Sequence, residues 1–362
     1  MKNQVRFNNS NREFYKTLRT RVDAYFTDNN IEKQGNITMY IKTAFMFALY
    51  FSMYFLLLSN SLTNYFAMII AAVIMGVGMA GIGLSIMHDA NHGSYSSNPM
   101  INKIMSYSLF IVGGYPLNWQ IQHNNIHHTF TNVNDVDEDI MPPTPLLRFS
   151  PHDVIRPIHR FQYIYAWVLY GFMTMMWSTS KDFKQLNRYS KEGHFAAKKT
   201  SYVRGLIEII ASKLFYHSYM FIIPVFVMNI AWWQIIIGLV IMHFVAGVIL
   251  AAIFQPAHVV PDTKYPLPVK GTNSLENDWA TIQVLTTSNF AAANKPFSWF
   301  VGGLNYQVEH HLFPNICHVH YNKISTIVEK TAHEFNLPYN TIPTFFGALS
   351  EHTKMLRNLG KA

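Results

Sequence analysis

The sequence predicts an all-α integral membrane protein, with four transmembrane helices and a helical cap on the cytoplasmic side. Three observations predict it. Half of the 362 residues are hydrophobic and only 13% are charged, about half the charge of a soluble chain. Four apolar runs approach the roughly 20 residues that a bilayer crossing needs. The links between paired runs are free of charge, while basic residues crowd the segments outside them.

The chain opens on a polar stretch, residues 1–36, with seven Lys/Arg. It has no apolar core of the kind a signal peptide carries, so it reads as a basic cytoplasmic segment. The first two spans are expected at 40–58 and 65–87, joined by the uncharged "SNSLTN". The last two are expected at 214–230 and 233–254, joined around the uncharged "NIAWWQ". Between the pairs, residues 148–213 hold eleven Lys/Arg. By the positive-inside rule, both termini and the long middle segment are cytoplasmic. The membrane domain then occupies 37–362, with a cap formed by 88–213 and 255–362.

Two further apolar stretches are not counted as spans. Residues 104–112 are too short. Residues 161–177 are flanked by Arg156 and Arg160 on one side and Lys181 and Lys184 on the other. They are expected to lie in the interface or to pack inside the cap. No internal repeat or linker divides the chain. The single cysteine, Cys317, excludes an intrachain disulfide and a Cys-rich zinc or iron–sulfur site. The formal charge of +8 fits basic cytoplasmic loops and calls for no nucleic-acid partner.

Histidine is concentrated in three clusters: "HDANH" at 88–92, "HNNIHH" at 123–128 and "QVEHH" at 307–311. On a helix, His88 and His92 share one face, as do His123 and His127. His128 then points about 100° away, toward a second ion. His310 and His311 form a comparable adjacent pair. Seven imidazoles exceed what one ion takes, because catalytic zinc uses three protein ligands and water. The count points to two metals, all on the cytoplasmic side of the expected topology. His258, in "FQPAHVV" past the fourth span, is a further candidate ligand. Imidazole suits Zn, Cu, Fe and Ni alike.

The other histidines carry blander readings. His243, inside the fourth span, is expected to be packed and neutral. His318 and His320 would support the site or bind phosphate headgroups, and Cys317 would fill core space. Metal-bound imidazoles usually donate their second N–H to a carboxylate or carbonyl. Asp89, Asp137, Asp139 and Glu309 are the expected partners of that kind. The acidic run "NDVDEDI" reads otherwise as a solvated loop.

At these clusters the sequence resembles the membrane-bound fatty acid desaturases, whose three histidine boxes read H-x(3–4)-H, H-x(2–3)-H-H and [H/Q]-x-x-H-H. The boxes occur here in that order. Gln307 in the third box, "TNVNDVDEDI" after the second and "HHLFP" after the third look like the front-end acyl branch. The resemblance implies two iron ions, O2 as co-substrate, and removal of hydrogens from adjacent methylenes to form a cis double bond. It implies metal ligation by His88, His92, His123, His127, His128, His310 and His311, with His258 as the extra ligand. Gln307 would sit behind the ligands or bridge through water. Trp119 and Tyr306 could line an acyl tunnel, or simply pack. Many front-end members carry a fused cytochrome b5 domain with "HPGG". That motif does not occur here, so an external donor of ferredoxin or cytochrome b5 type is expected. The acyl chain would arrive on a lipid or on CoA.

Three rivals follow from the same residues. A hydroxylase would use the same oxidised metal pair. A zinc-dependent membrane hydrolase needs fewer imidazoles and a general base, and no H-E-x-x-H occurs. A haem-binding electron carrier would place its axial histidines in facing spans. The soluble ferritin-like pattern of Glu and E-x-x-H ligands is missing.

Overall fold

A computed structural model describes residues 5–8, 12–142 and 144–361. The basic opening stretch is thus seen only in part, since residues 1–4 and 9–11 lie outside the described residues. The chain divides into two units. One comprises Met1–Gly35, Gln122–Ala166 and Ala252–Ala362; the other comprises Asn36–Ile121 and Trp167–Ala251.

Among the described residues, four helices are long and apolar enough to cross a membrane: Ile37–Leu58, Tyr65–His92, Tyr202–Val227 and Trp232–His258. Asparagine starts the first two. Asn36 caps the first by accepting from the Thr38 N–H, and Asn64 caps the second through Phe66. Close approach then replaces the hydrophobic effect as the reason these helices pack, because lipid is as apolar as they are. A Cβ on Gly78 would meet the backbone nitrogen of Tyr50 at 3.0 Å, so glycine lets the first two spans touch.

The third span begins at Tyr202, not at 214 as expected. Its first turns contain Arg204, Glu208 and Lys213, which read as loop charges in the sequence. The helix accommodates each one. Arg204 pairs with Glu208 at 2.9 Å, one turn apart. Lys213 is buried, and its three ammonium protons go to the Gly113 carbonyl (2.7 Å), the Trp177 carbonyl (2.6 Å) and Asp182. The fourth span runs four residues past its expected end and carries His258 on its last turn.

Residues 161–177 form two short helices, Gln162–Gly171 and Met173–Ser178. The second half packs on the fourth span, where a Cβ on Gly247 would collide with the Tyr170 carbonyl oxygen at 2.5 Å. Residues 104–112 fall in Pro99–Ser106 and Ser108–Ile111, both too short to cross. Residues 93–121 and 167–201, expected in the cap, belong to the unit that holds most of the spans.

In the other unit, Glu13–Asp28 buries Phe14, Leu18, Val22 and Phe26, spaced four residues apart, as an amphipathic helix should. They share a core with Ile324, Val328 and Ala332 of Tyr321–Glu334. Trp279–Thr286 is capped by the Asp278 carboxylate. Two-residue strands, Asn289–Phe290 and Thr341–Ile342, pair in parallel.

The terminal helix, Phe345–Leu359, is tied to the end of the fourth span by His352, whose Nδ1 lies 2.8 Å from the Val259 carbonyl oxygen. Burial lowers the His352 pKa to about 4, against a smaller lift from that hydrogen bond. The folded value lies below the unfolded one, so its stabilisation is present above pH about 6.5 and is lost as pH falls toward 4. A His352→Leu chain is therefore expected to lose about 2 kcal/mol less stability than the parent between pH 7 and pH 5. Thermal unfolding at both pH values checks this; identical pH slopes would contradict it.

Candidate metal centre

The second box does not sit on an α-helix. Residues Ile121–His127 form a π-helix that returns to α-helix at His128. In that wider helix hydrogen bonds run from i to i+5, and the side-chain grouping changes accordingly. His123 Nε2 lies 3.2 Å from His128 Nε2. His128 Nε2 lies in turn 2.9 Å from His310 Nε2. His127 turns to a different set, where its ligand atom and those of His258 and His311 lie within 4.8 Å of one another. His123 and His127 do share a face as expected, their rings stacked with centroids 5.2 Å apart, but His128 does not stand apart: it joins His123 as well. The reason is the helix type.

Four of these imidazoles are held from behind by their Nδ1 atoms. His127 Nδ1 lies 2.9 and 3.0 Å from the two Asp137 oxygens. His311 Nδ1 is 2.8 Å from Gln283 Oε1. His258 Nδ1 is 3.2 Å from the Thr286 carbonyl oxygen, and His310 Nδ1 is 3.2 Å from the Tyr321 hydroxyl. Engaging Nδ1 directs Nε2 inward and fixes which nitrogen is available to a metal. Burial opposes a charge on His127, but the Asp137 and Asp139 carboxylates outweigh it and raise its pKa to about 9. A field that favours a bound proton there favours a cation too. The donor set fits a transition metal: neutral nitrogen atoms, all buried, with separations of 2.9–3.2 Å. Nitrogens sharing one ion at about 2.0–2.1 Å each would lie at such distances.

In the other unit, the second span changes to π-helix over Ile82–Met87 and back to α-helix over His88–His92. The two rings have centroids 4.7 Å apart, and the Trp119 ring stands edge-on to both, at 5.5 and 5.7 Å.

A fatty acid desaturase family model matches residues 63–343. The chain belongs to the fatty acid desaturase family. As a desaturase, it is an oxidoreductase. It is 32% identical over 351 residues to the sn-1 linoleoyl-lipid 6-desaturase of Synechocystis sp., covering 97% of this chain and 96% of that one. It is 37% identical over 355 residues to the acyl-lipid (8-3)-desaturase of Physcomitrium patens, covering 97% and 72%. The Delta(5) fatty acid desaturase A of Dictyostelium discoideum is 30% identical over 363 residues, covering 96% and 75%.

The remaining predicted residues of this desaturase fall in varied places. Asp139 reaches His123 Nδ1 at 3.4 Å and also accepts from the Gln122 amide. Asp137 further accepts from the Asn132 N–H at 2.8 Å, which locks the loop after the second box. Asp89 lies 3.7 Å from His88 Nδ1, beyond hydrogen-bond reach. Glu309 turns to Asn289 and Tyr339, each at 2.8 Å, and not to an imidazole. Burial raises its pKa to about 7, against the lowering by those two donors. Gln307 donates to the Leu304 carbonyl and also hydrogen-bonds His258. His243 is packed, with Tyr216 and Thr174 on its two nitrogens. His320 contacts the Gln34 carbonyl oxygen, and its ring meets Phe26 edge-on. Tyr306 donates to the Ala292 carbonyl.

Sequence reasoning missed Gln283, Thr286, Tyr321 and Thr131. Gln283 is fully buried, and its Oε1 accepts from Thr131 as well as facing His311. A glutamine within an otherwise apolar helical run was the available signal.

Proposed function

We propose that this desaturase places a cis double bond in an acyl chain of a membrane lipid, on the carboxyl side of existing unsaturation. Two iron ions would be held by His88, His92, His123, His127, His128, His258, His310 and His311. The observation that carries the proposal is the buried set of imidazoles whose Nδ1 atoms are engaged and whose Nε2 atoms converge. The lipid substrate and the position of reaction are supported by the relatives, two of which are named as an sn-1 linoleoyl-lipid 6-desaturase and an acyl-lipid (8-3)-desaturase.

The iron pair, when bound, supplies the oxidising power to take hydrogens from two adjacent methylenes with O2. The reaction consumes two electrons and two protons and releases two waters. The protein's part is positional. Asp137, Gln283, the Thr286 carbonyl and Tyr321 each hold one Nδ1, so no ring can rotate away or change tautomer. Gln307, behind His258, steadies that ring. Neutral nitrogen donors leave the metals more oxidising than thiolates would.

The termini and the metal centre would face the cytoplasm, as the Lys/Arg excess over 1–36 and 148–213 supports. A separate ferredoxin or cytochrome b5 type protein would deliver electrons, docking on basic surface. Turnover should then fall as salt rises.

Expression in a host lacking polyunsaturated lipids tests the function. Gas chromatography of fed cultures should show new double bonds in lipid-bound chains. Hydroxy-acyl products without new unsaturation would overturn the proposal in favour of a hydroxylase.

A further inference from the structure

The unit that holds most of the spans contains a cavity lined mainly by apolar side chains, away from the first histidine box. Its walls come from all four spans, near the ends away from His88. Along the second span it runs from Tyr65 to Met75, a depth of about 15 Å at 1.5 Å per residue. Met75 is 13 residues before His88, so the floor stops about 20 Å short of the first box. The walls are nearly all apolar and include five methionines, whose unbranched, polarisable side chains adapt to flexible apolar guests.

Its polar side chains are Tyr54, whose hydroxyl donates to the Tyr219 carbonyl, and Tyr65 and Gln234 at the starts of the second and fourth spans. Gln234 accepts from the Ala231 N–H at the start of the fourth span. The Tyr65 hydroxyl is buried and has no hydrogen-bond partner among the described residues. An unmet buried hydroxyl costs about 1–3 kcal/mol, so a ligand that accepts from it is favoured there. The surroundings name the solvent. Trp232 and Trp233 are both about half exposed at the same end of the unit, and Phe66 and Phe226 are largely exposed. Aromatic side chains at span ends mark the lipid–water interface. This end of the cavity therefore lies at the level where ester groups sit and tails begin.

We propose that this cavity binds one acyl tail of a bilayer glycerolipid, with its ester carbonyl accepting from Tyr65. The lipid is a bound structural ligand, separate from the substrate. The assignment does not depend on the proposed reaction, and its readout needs no turnover.

Gly238 makes the test clean. It lines the cavity, and a Cβ built on it meets nothing within 4 Å. A leucine there fills the cavity without displacing backbone. The full-length protein is reconstituted in phosphatidylcholine vesicles containing a phosphatidylcholine with a diazirine on one tail, then illuminated and mapped by peptide mass spectrometry. Labelling is expected to concentrate on Met68, Met75 and Met242, to fall at least fivefold in Gly238→Leu, and to weaken severalfold in Tyr65→Phe. Gly238→Ala, which adds one methyl group, should retain most of it and guards against misfolding. Labels confined to outward-facing residues such as Phe66 and Phe226, or unchanged in Gly238→Leu, would overturn the proposal. So would competition by free oleate but not by unlabelled phosphatidylcholine. Labels near the histidine boxes report substrate binding and leave the cavity signal separately readable.

Discussion

His127→Ala is expected to abolish new double bonds and to lower bound iron per chain, while the protein still inserts and folds. His127 is the imidazole most strongly prepared for a cation. Its Nδ1 is held by both oxygens of Asp137, and its Nε2 side meets His258 and His311. Removing it takes away a donor and leaves the fully buried Asp137 carboxylate without that partner. Asp137→Asn separates the two effects. The ligand stays, but the negative charge behind it is gone and the Asn132 N–H receives a weaker acceptor. Loss of a partner behind a metal-bound histidine typically costs 10–100-fold in metal affinity or activity, and a loss of that size is expected here. Metal analysis by plasma mass spectrometry, alongside fatty-acid profiles, orders the two variants. Full iron content and normal product in His127→Ala would remove it from the ligand set. Full iron with no product would make it a positioning residue instead.

The candidate ligands were legible in the sequence because seven of them fall in three tight histidine clusters. How they group was not. Over a single turn, "HNNIHH" reads equally well on a helix closing at i+4 or at i+5, and nothing in the apolar pattern separates the two. The structure takes the wider turn, and His128 joins His123 in consequence. The residues behind the ligands divide along the same line. Asp137 and Asp139 follow the second box closely enough to be guessed. Gln283 and Tyr321 come from other helices, and only folding brings them to His311 and His310. Glu309 shows the converse: adjacency to two ligands says nothing about direction, because neighbours on a helix point about 100° apart. Among the spans, three of four start where hydropathy says. The third starts early because Arg204 pairs with Glu208 one turn on and Lys213 has partners far off in sequence, which a charge count cannot see.

Those partners carry the second large expectation. Lys213→Met should destabilise the protein by about 3–5 kcal/mol, the usual cost of removing one member of a buried ion pair. Lys213 and Asp182 retain only 9% and 7% of their side-chain exposure. The ammonium has all three donors used, and Asp182 also faces the Asn118 amide at 3.3 Å. Methionine matches the stem of lysine but leaves the carboxylate charged in an apolar setting and two carbonyls unmet. The double change Lys213→Met with Asp182→Leu removes both charges together. Asn118 would keep its 2.9 Å bond to the Asp182 backbone carbonyl, which no side-chain change removes. The double variant should therefore recover most of the loss, since apolar replacements of buried pairs are often neutral. Thermal unfolding of the parent, both single variants and the double variant gives the coupling directly. Additive losses would mean that the two charges do not sense each other. A Lys213→Met chain that melts with the parent would mean that the early turns of the third span need no anchor. Strong coupling would explain why a helix with a lysine buried in its middle can begin twelve residues before hydropathy alone would start it.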